Sequence, residues 1–70
     1  MAKPAGLRRT IGHVGVYDGL AAGLDTTTGR WQTVCERHHE VCSHRRWRDA
    51  LAYARQPWQW CEHCMVEQGR

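Results

Sequence analysis

The chain begins without a hydrophobic period and then changes character. Residues 1–10, MAKPAGLRRT, show no regular spacing of apolar positions and read as a flexible basic tail. In residues 11–17, IGHVGVY, Ile11, His13, Gly15 and Tyr17 alternate with Gly12, Val14 and Val16. Period two predicts a short strand, weakened by its glycines. The segment DGLAAGLDTTTGR is rich in glycine, threonine and aspartate and reads as a loop with turns. Leu20 and Leu24 stand one helical turn apart within it and are expected to tuck under the domain.

The pattern sharpens from residue 31. WQTVC, residues 31–35, has the aromatic and β-branched content of a strand. ERHH supplies a turn, and EVCSH, residues 40–44, returns as a second strand of a hairpin. Residues 45–56, RRWRDALAYARQ, place Trp47, Ala50, Leu51 and Ala54 at i, i+3, i+4 and i+7, a single apolar stripe that predicts a helix. Ser43 is the expected N-cap. Pro57 ends the helix by disfavouring helical geometry at Gln56. If WQW, residues 58–60, is extended, Trp58 and Trp60 share a side with Gln59 opposite; Trp47 and at least one of that pair are expected in the core. Residues from Glu67 onward read as a frayed tail.

Seventy residues allow one domain, here residues 11–66. So small a core supplies about 3–5 kcal/mol at most, and such domains rely on a disulfide or metal staple. No apolar run reaches the ~18 residues that cross a bilayer, so no membrane partner is expected. The basic first stretch leads into no apolar segment and does not read as a secretion signal. A reducing, cytoplasmic setting is the corresponding expectation. It favours metal ligation over a two-disulfide framework for the four cysteines.

Their spacing supports the same reading. Cys35 and His38 form C-x2-H, Cys61 and Cys64 form C-x2-C, and twenty-two residues separate the pairs. Two ligands with two residues between them can grip one ion from a tight turn, and two such turns complete the tetrahedral shell that Zn2+ prefers. Cys35, His38, Cys61 and Cys64 are therefore the expected ligands. His39, His44 and Cys42 are the alternatives for the position given to His38. His63, inside the second knuckle, is expected to face outward. The fold class that follows is a small α+β zinc-stabilised domain. A β-hairpin carries the first knuckle, one α-helix follows, and a second knuckle closes the unit in the manner of a zinc ribbon or treble clef.

A shell of four protein ligands leaves no position for water, which argues for a structural role, with no catalytic residue and no small-molecule substrate. His38-His39-Glu40 followed by Cys61-x-x-Cys64 superficially matches the zinc deaminase signature. Pro57 stands too far before Cys61 for that signature, and Cys35 would have no role in it. A nuclease of the His-Asn-His type is excluded because the chain contains no asparagine.

The run WQTVCERHHEVCSHRRWRDALAYARQPWQWCEHC resembles small uncharacterised zinc-knuckle proteins of actinobacteria and their phages. These read as V-C-x-x-H, a hairpin, a helix with a central alanine, then W-C-x-x-C. Cys35, His38, Cys61 and Cys64 match that pattern one by one, across about half of the chain. The resemblance implies a zinc fold and carries no activity with it. Such proteins often have glycine after the histidine, where this chain has His39.

Charge adds a candidate partner. The formal net charge is +3. It is concentrated in Lys3, Arg8 and Arg9, and in Arg45, Arg46, Arg48 and Arg55 around a single Asp49. Arg45, Arg48 and Arg55 fall along one expected helix face, opposite the apolar stripe, where a basic row can follow a phosphate backbone. The expected function is an accessory module that binds DNA or RNA through these three arginines. The alternative is a protein-interaction module, with tryptophans docking on a larger assembly.

Overall fold

The computed structural model describes residues 5–69. Gly12 reverses the chain inside the segment that the alternation suggested was one strand. It adopts φ 59°, while His13 after it stays out of the positive region, the sign pattern of a type II′ turn. Two strands result, β1 (Leu7–Ile11) and β2 (Val14–Asp18). The expected tail over residues 1–10 is corrected accordingly for residues 7–10, which pair in the sheet; residues 1–4 lie outside the described residues. The physical reason is that β1 is an edge strand. One side of its backbone pairs with β2 and the other has no strand beside it among the described residues, while Arg8, Arg9 and Thr10 remain exposed, so its side chains show no apolar period.

The next two strands occupy the expected segments, β3 (Trp31–Cys35) and β4 (Glu40–His44). All four strands pair antiparallel in the order β1-β2-β3-β4. The register sets Val14 beside Cys35, Val16 beside Thr33 and Asp18 beside Trp31, then Trp31 beside His44 and Cys35 beside Glu40. Because side chains alternate across a sheet, Val14, Val16, Thr33, Cys35 and His44 share one face. All five are buried.

Helix α1 (Trp47–Arg55) covers that face. Ala50 and Ala54 are buried with Val14 and Val16, and their small side chains let the helix lie close to the sheet. Ile11, Trp31, Trp47 and Trp60 pack around this cluster half-buried. Trp31 and Trp47 meet edge to face with centroids 4.9 Å apart. The stripe is thus as expected, but the helix starts later. Ser43 does not cap it, because Ser43 and His44 are still paired with Gln32 and Trp31. Arg46 occupies the cap position with no side-chain hydrogen bond.

WQW is not extended. Pro57–Gln59 forms a 3-10 turn, which sends Trp58 towards solvent and Trp60 inward. The frayed tail expected from Glu67 is likewise corrected: α2 (Glu62–Gln68) runs through it, and its carboxyl end is drawn to the first knuckle by contacts described below. Among the described residues, no helix is long and apolar enough to cross a membrane.

The loop between β2 and β3 is held by Asp18, which is 4% exposed. Its carboxylate accepts hydrogen bonds from the Leu20 backbone N–H and from Arg30 Nε and Nη2 at 2.9–3.1 Å. These contacts, the Arg30 bonds first, hold the Asp18 carboxyl down at about 2. Leu20 and Leu24 do not tuck under the domain; they are exposed, because the loop is fixed by polar contacts instead. Gly29 permits its closing approach to β4, since a Cβ there would lie 2.6 Å from the His44 carbonyl oxygen.

Candidate metal centre

Three elements converge at one end of the sheet. Cys35 is the last residue of β3 and points into the covered face. The turn after it is closed by two bonds to its carbonyl oxygen, from the His38 N–H at 3.2 Å and the His39 N–H at 2.6 Å. That turn brings the His38 ring back over the Cys35 sulfur. Cys61 occupies the cap position of α2 and Cys64 lies in its first turn, so both face the same way. Cys35, Cys61 and Cys64 are buried, and His38 is half-buried.

The four ligand atoms lie within 4.8 Å of one another. His38 Nδ1 is 3.3 Å from Cys35 Sγ and 3.5 Å from each of Cys61 Sγ and Cys64 Sγ. Cys35 Sγ and Cys64 Sγ are 3.7 Å apart. A tetrahedral ion with bonds of about 2.3 Å to sulfur and about 2.0 Å to nitrogen requires ligand separations near ~3.8 Å and ~3.5 Å. The cluster fits such an ion. Its chemistry asks for one as well: burial, then the neighbouring Cys61 and Cys35 thiols, push the Cys64 thiol up to about 12. Three packed thiolates need a cation among them, and a divalent ion reverses that balance.

The arrangement separates the candidate ligands. His38 is in the cluster. His39 is exposed and points elsewhere, at φ 60°. His44 is buried on β4, bonded through Nε2 to Thr33 Oγ1 at 2.9 Å and stacked on Tyr53. Cys42 sits half-buried on β4 as a free thiol, its pKa raised chiefly by burial. His63 is exposed, as its place inside the knuckle suggested, although its ring lies 5.0 Å from that of His38. Glu40, the acid of the deaminase-like triplet, opens β4 paired with Cys35.

Two contacts around the shell were not foreseen. Glu67 Oε1 accepts a 3.1 Å hydrogen bond from His38 Nε2, leaving Nδ1 free to face the sulfurs. This bond is the main cause that lowers the Glu67 pKa; Arg37 adds to it from 3.4 Å. A carboxylate behind a ligating histidine fixes the tautomer and the ring orientation. On the other side, His13 Nε2 lies 3.3 Å from Cys64 Sγ. Both were legible in part. Gly12 followed by one residue between two alternating runs is a hairpin signal that places His13 at a tip. Glu67 follows Cys64 by three residues, one turn along a helix.

The arginines are distributed differently from the expectation. Arg48 and Arg55 lie on α1 two turns apart, hence on nearly one side, but Arg45 precedes the helix, in the bend after β4. All three are exposed.

No family model, curated protein or solved structure matches the chain.

Proposed function

We propose that this protein is a structural zinc module that binds DNA or RNA through the arginines around α1. Zinc is the ion because three sulfurs and one imidazole nitrogen at tetrahedral separations suit a borderline-soft ion with no directional d-electron demands. Four protein ligands close the shell, which supports a role in holding the fold and not in catalysis. The reading implies a reducing, cytoplasmic compartment, where three thiols stay available for metal.

The nucleic-acid half rests on how the arginines are partnered. Arg8 and Arg30 are within reach of Asp18, and Arg37 meets Glu67. Arg45, Arg46, Arg48 and Arg55 are exposed, and none has an ion pair among the described residues. Cationic side chains left without internal partners on one short segment suit a polyanion, whose condensed counterions they displace. Affinity for short DNA and RNA duplexes and single strands should fall steeply with salt. Replacing Arg45, Arg48 and Arg55 by glutamine should flatten the log–log salt slope by about one per lost contact, with zinc content unchanged. Absence of binding to all of these at low salt would defeat the nucleic-acid reading.

One feature favours the second reading, docking on a protein. The uncovered sheet face carries an open cavity of about 490 Å³, lined by Tyr17, Ala22, Leu24, Gln32, Val34 and Val41 among others. Its lining is mainly apolar, and Val41 and Leu24 are at least half exposed. Loss of the nucleic-acid reading would leave this surface as the functional one.

A further inference from the structure

The geometry points to His13 as an outer-shell residue of the metal centre, donating its Nε2–H to the Cys64 thiolate and tying the β1–β2 hairpin to the ion. The inference rests on the zinc reading above.

The type II′ turn sets His13 at the hairpin tip, fifty-one residues from Cys64 in sequence. Its ring is half-buried there, 3.3 Å from Cys64 Sγ through Nε2. The ring stands edge-on to His38, with centroids 6.4 Å apart and planes at 81°. The same residue is gripped by its backbone, because the Glu36 N–H donates to the His13 carbonyl oxygen at 2.9 Å. Glu36 directly follows Cys35. His13 therefore touches both knuckles, the first through its main chain and the second through its side chain.

The chemistry gives that contact a purpose. Three thiolates and a neutral imidazole leave the zinc shell at a formal charge of about −1. An N–H aimed at one sulfur draws charge off it, strengthens the case for its ionised form and lowers its reactivity. His13 is not in the ligand set, since His38 already completes the four. It is a positioning residue that acts on the ion through Cys64. The β1–β2 hairpin carries no ligand of its own, so this is its link to the metal.

The test uses the full chain loaded with zinc, cobalt(II) or cadmium-113. His13→Phe keeps a ring and removes the donor; His13→Gln keeps a donor. In the cobalt form, His13→Phe should retain the d–d bands of a tetrahedral site with three sulfur ligands and one nitrogen. Its thiolate-to-metal charge-transfer band should move to lower energy, because the sulfur it leaves bare is more electron-rich. Zinc should pass to a chelator at least about tenfold more readily, the scale on which outer-shell partners act. His13→Gln should recover part of both effects. A measurement on the unmutated protein covers the case in which His13→Phe does not fold: the cadmium form should show scalar coupling between the metal and the His13 Nε2 proton. Unchanged band energy and release rate in a folded His13→Phe, or no such coupling, would overturn the inference while leaving the zinc centre standing. Failure of the unmutated chain to give tetrahedral cobalt bands would instead remove the zinc reading, and this one with it.

Discussion

Trp60 Nε1 donates a 2.8 Å hydrogen bond to the carbonyl oxygen of Tyr53, fastening the approach to the second knuckle onto the end of α1. The same indole packs against the Val14–Val16–Ala50–Ala54 cluster and against the three cysteines. Aliphatic core and metal centre therefore share one side chain. Trp60→Ala should cost about 3 kcal/mol, the low end of the ~3–5 kcal/mol for a core tryptophan because the ring is only half-buried. Trp58→Ala should cost less than about 1 kcal/mol, since Trp58 is turned to solvent. Urea unfolding of the zinc-loaded variants measures both; equal costs would contradict this division of labour.

Metal removal should unfold the domain as a unit. The ligands meet only in the folded chain, so binding free energy, on the order of 10 kcal/mol, is folding free energy. Chelation should abolish the near-ultraviolet circular dichroism of Trp31, Trp47 and Trp60, and native mass should fall by one zinc. Cys61→Ser should not fold. Cys42→Ser should fold and keep its zinc, because Cys42 stands on β4 outside the cluster. Loss of metal from Cys42→Ser would refute the assigned shell.

His39→Gly should stabilise the protein. His39 is the one described non-glycine residue with positive φ, at 60°. A left-handed conformation costs a side-chain-bearing residue about 1–2 kcal/mol, and glycine returns about 0.5–1 of this through its unfolded-state entropy. A net gain of about 0.5–1 kcal/mol is expected, with zinc stoichiometry intact. Lost zinc would instead make His39 a ligand.

Mild acid should act through His44. Burial lowers its pKa below the ordinary 6.5, with Asp49 opposing the shift. The folded state therefore holds the neutral ring, bonded to Thr33 and stacked on Tyr53. A folded pKa below the unfolded one gives stability that is present above pH ~6.5 and lost as pH falls through the folded value. Zinc-loaded wild type should thus lose more stability between pH 7.5 and 5.5 than His44→Gln does. Acid effects on the ligands are common to both proteins, so the difference isolates His44. Parallel pH profiles would rule this out.

The two knuckles, β3, β4 and the apolar stripe of α1 were all legible because each is a local pattern. Cys35 and His38 carry their own spacing, and Trp47, Ala50, Leu51 and Ala54 carry their own period. What escaped was fixed by partners distant in sequence. Leu7–Ile11 becomes a strand because β2 offers it a ladder, and its exposed arginines hide this. Glu62–Gln68 has Cys64 as its only buried residue, so no apolar face announced the helix. Ser43 had the chemistry of a cap but was already committed to pairing with Gln32. His13 comes within 3.3 Å of Cys64 only through contact with the opposite end of the chain.

The meander β1-β2-β3-β4 pairs each strand with its neighbour in sequence. Every reversal in it is a short search, and chains rich in such contacts fold quickly. The Cys35–His38–Cys61–Cys64 cluster is different: it closes the twenty-two residues between His38 and Cys61, a longer loop with a larger entropic cost. One half of the shell, Cys35 and His38, is thus set by a single hairpin turn, and the other half must be brought to it against the cost of the longer loop. An ion held by all four ligands offsets that cost, so the carboxyl-terminal knuckle and the sheet are held or released together.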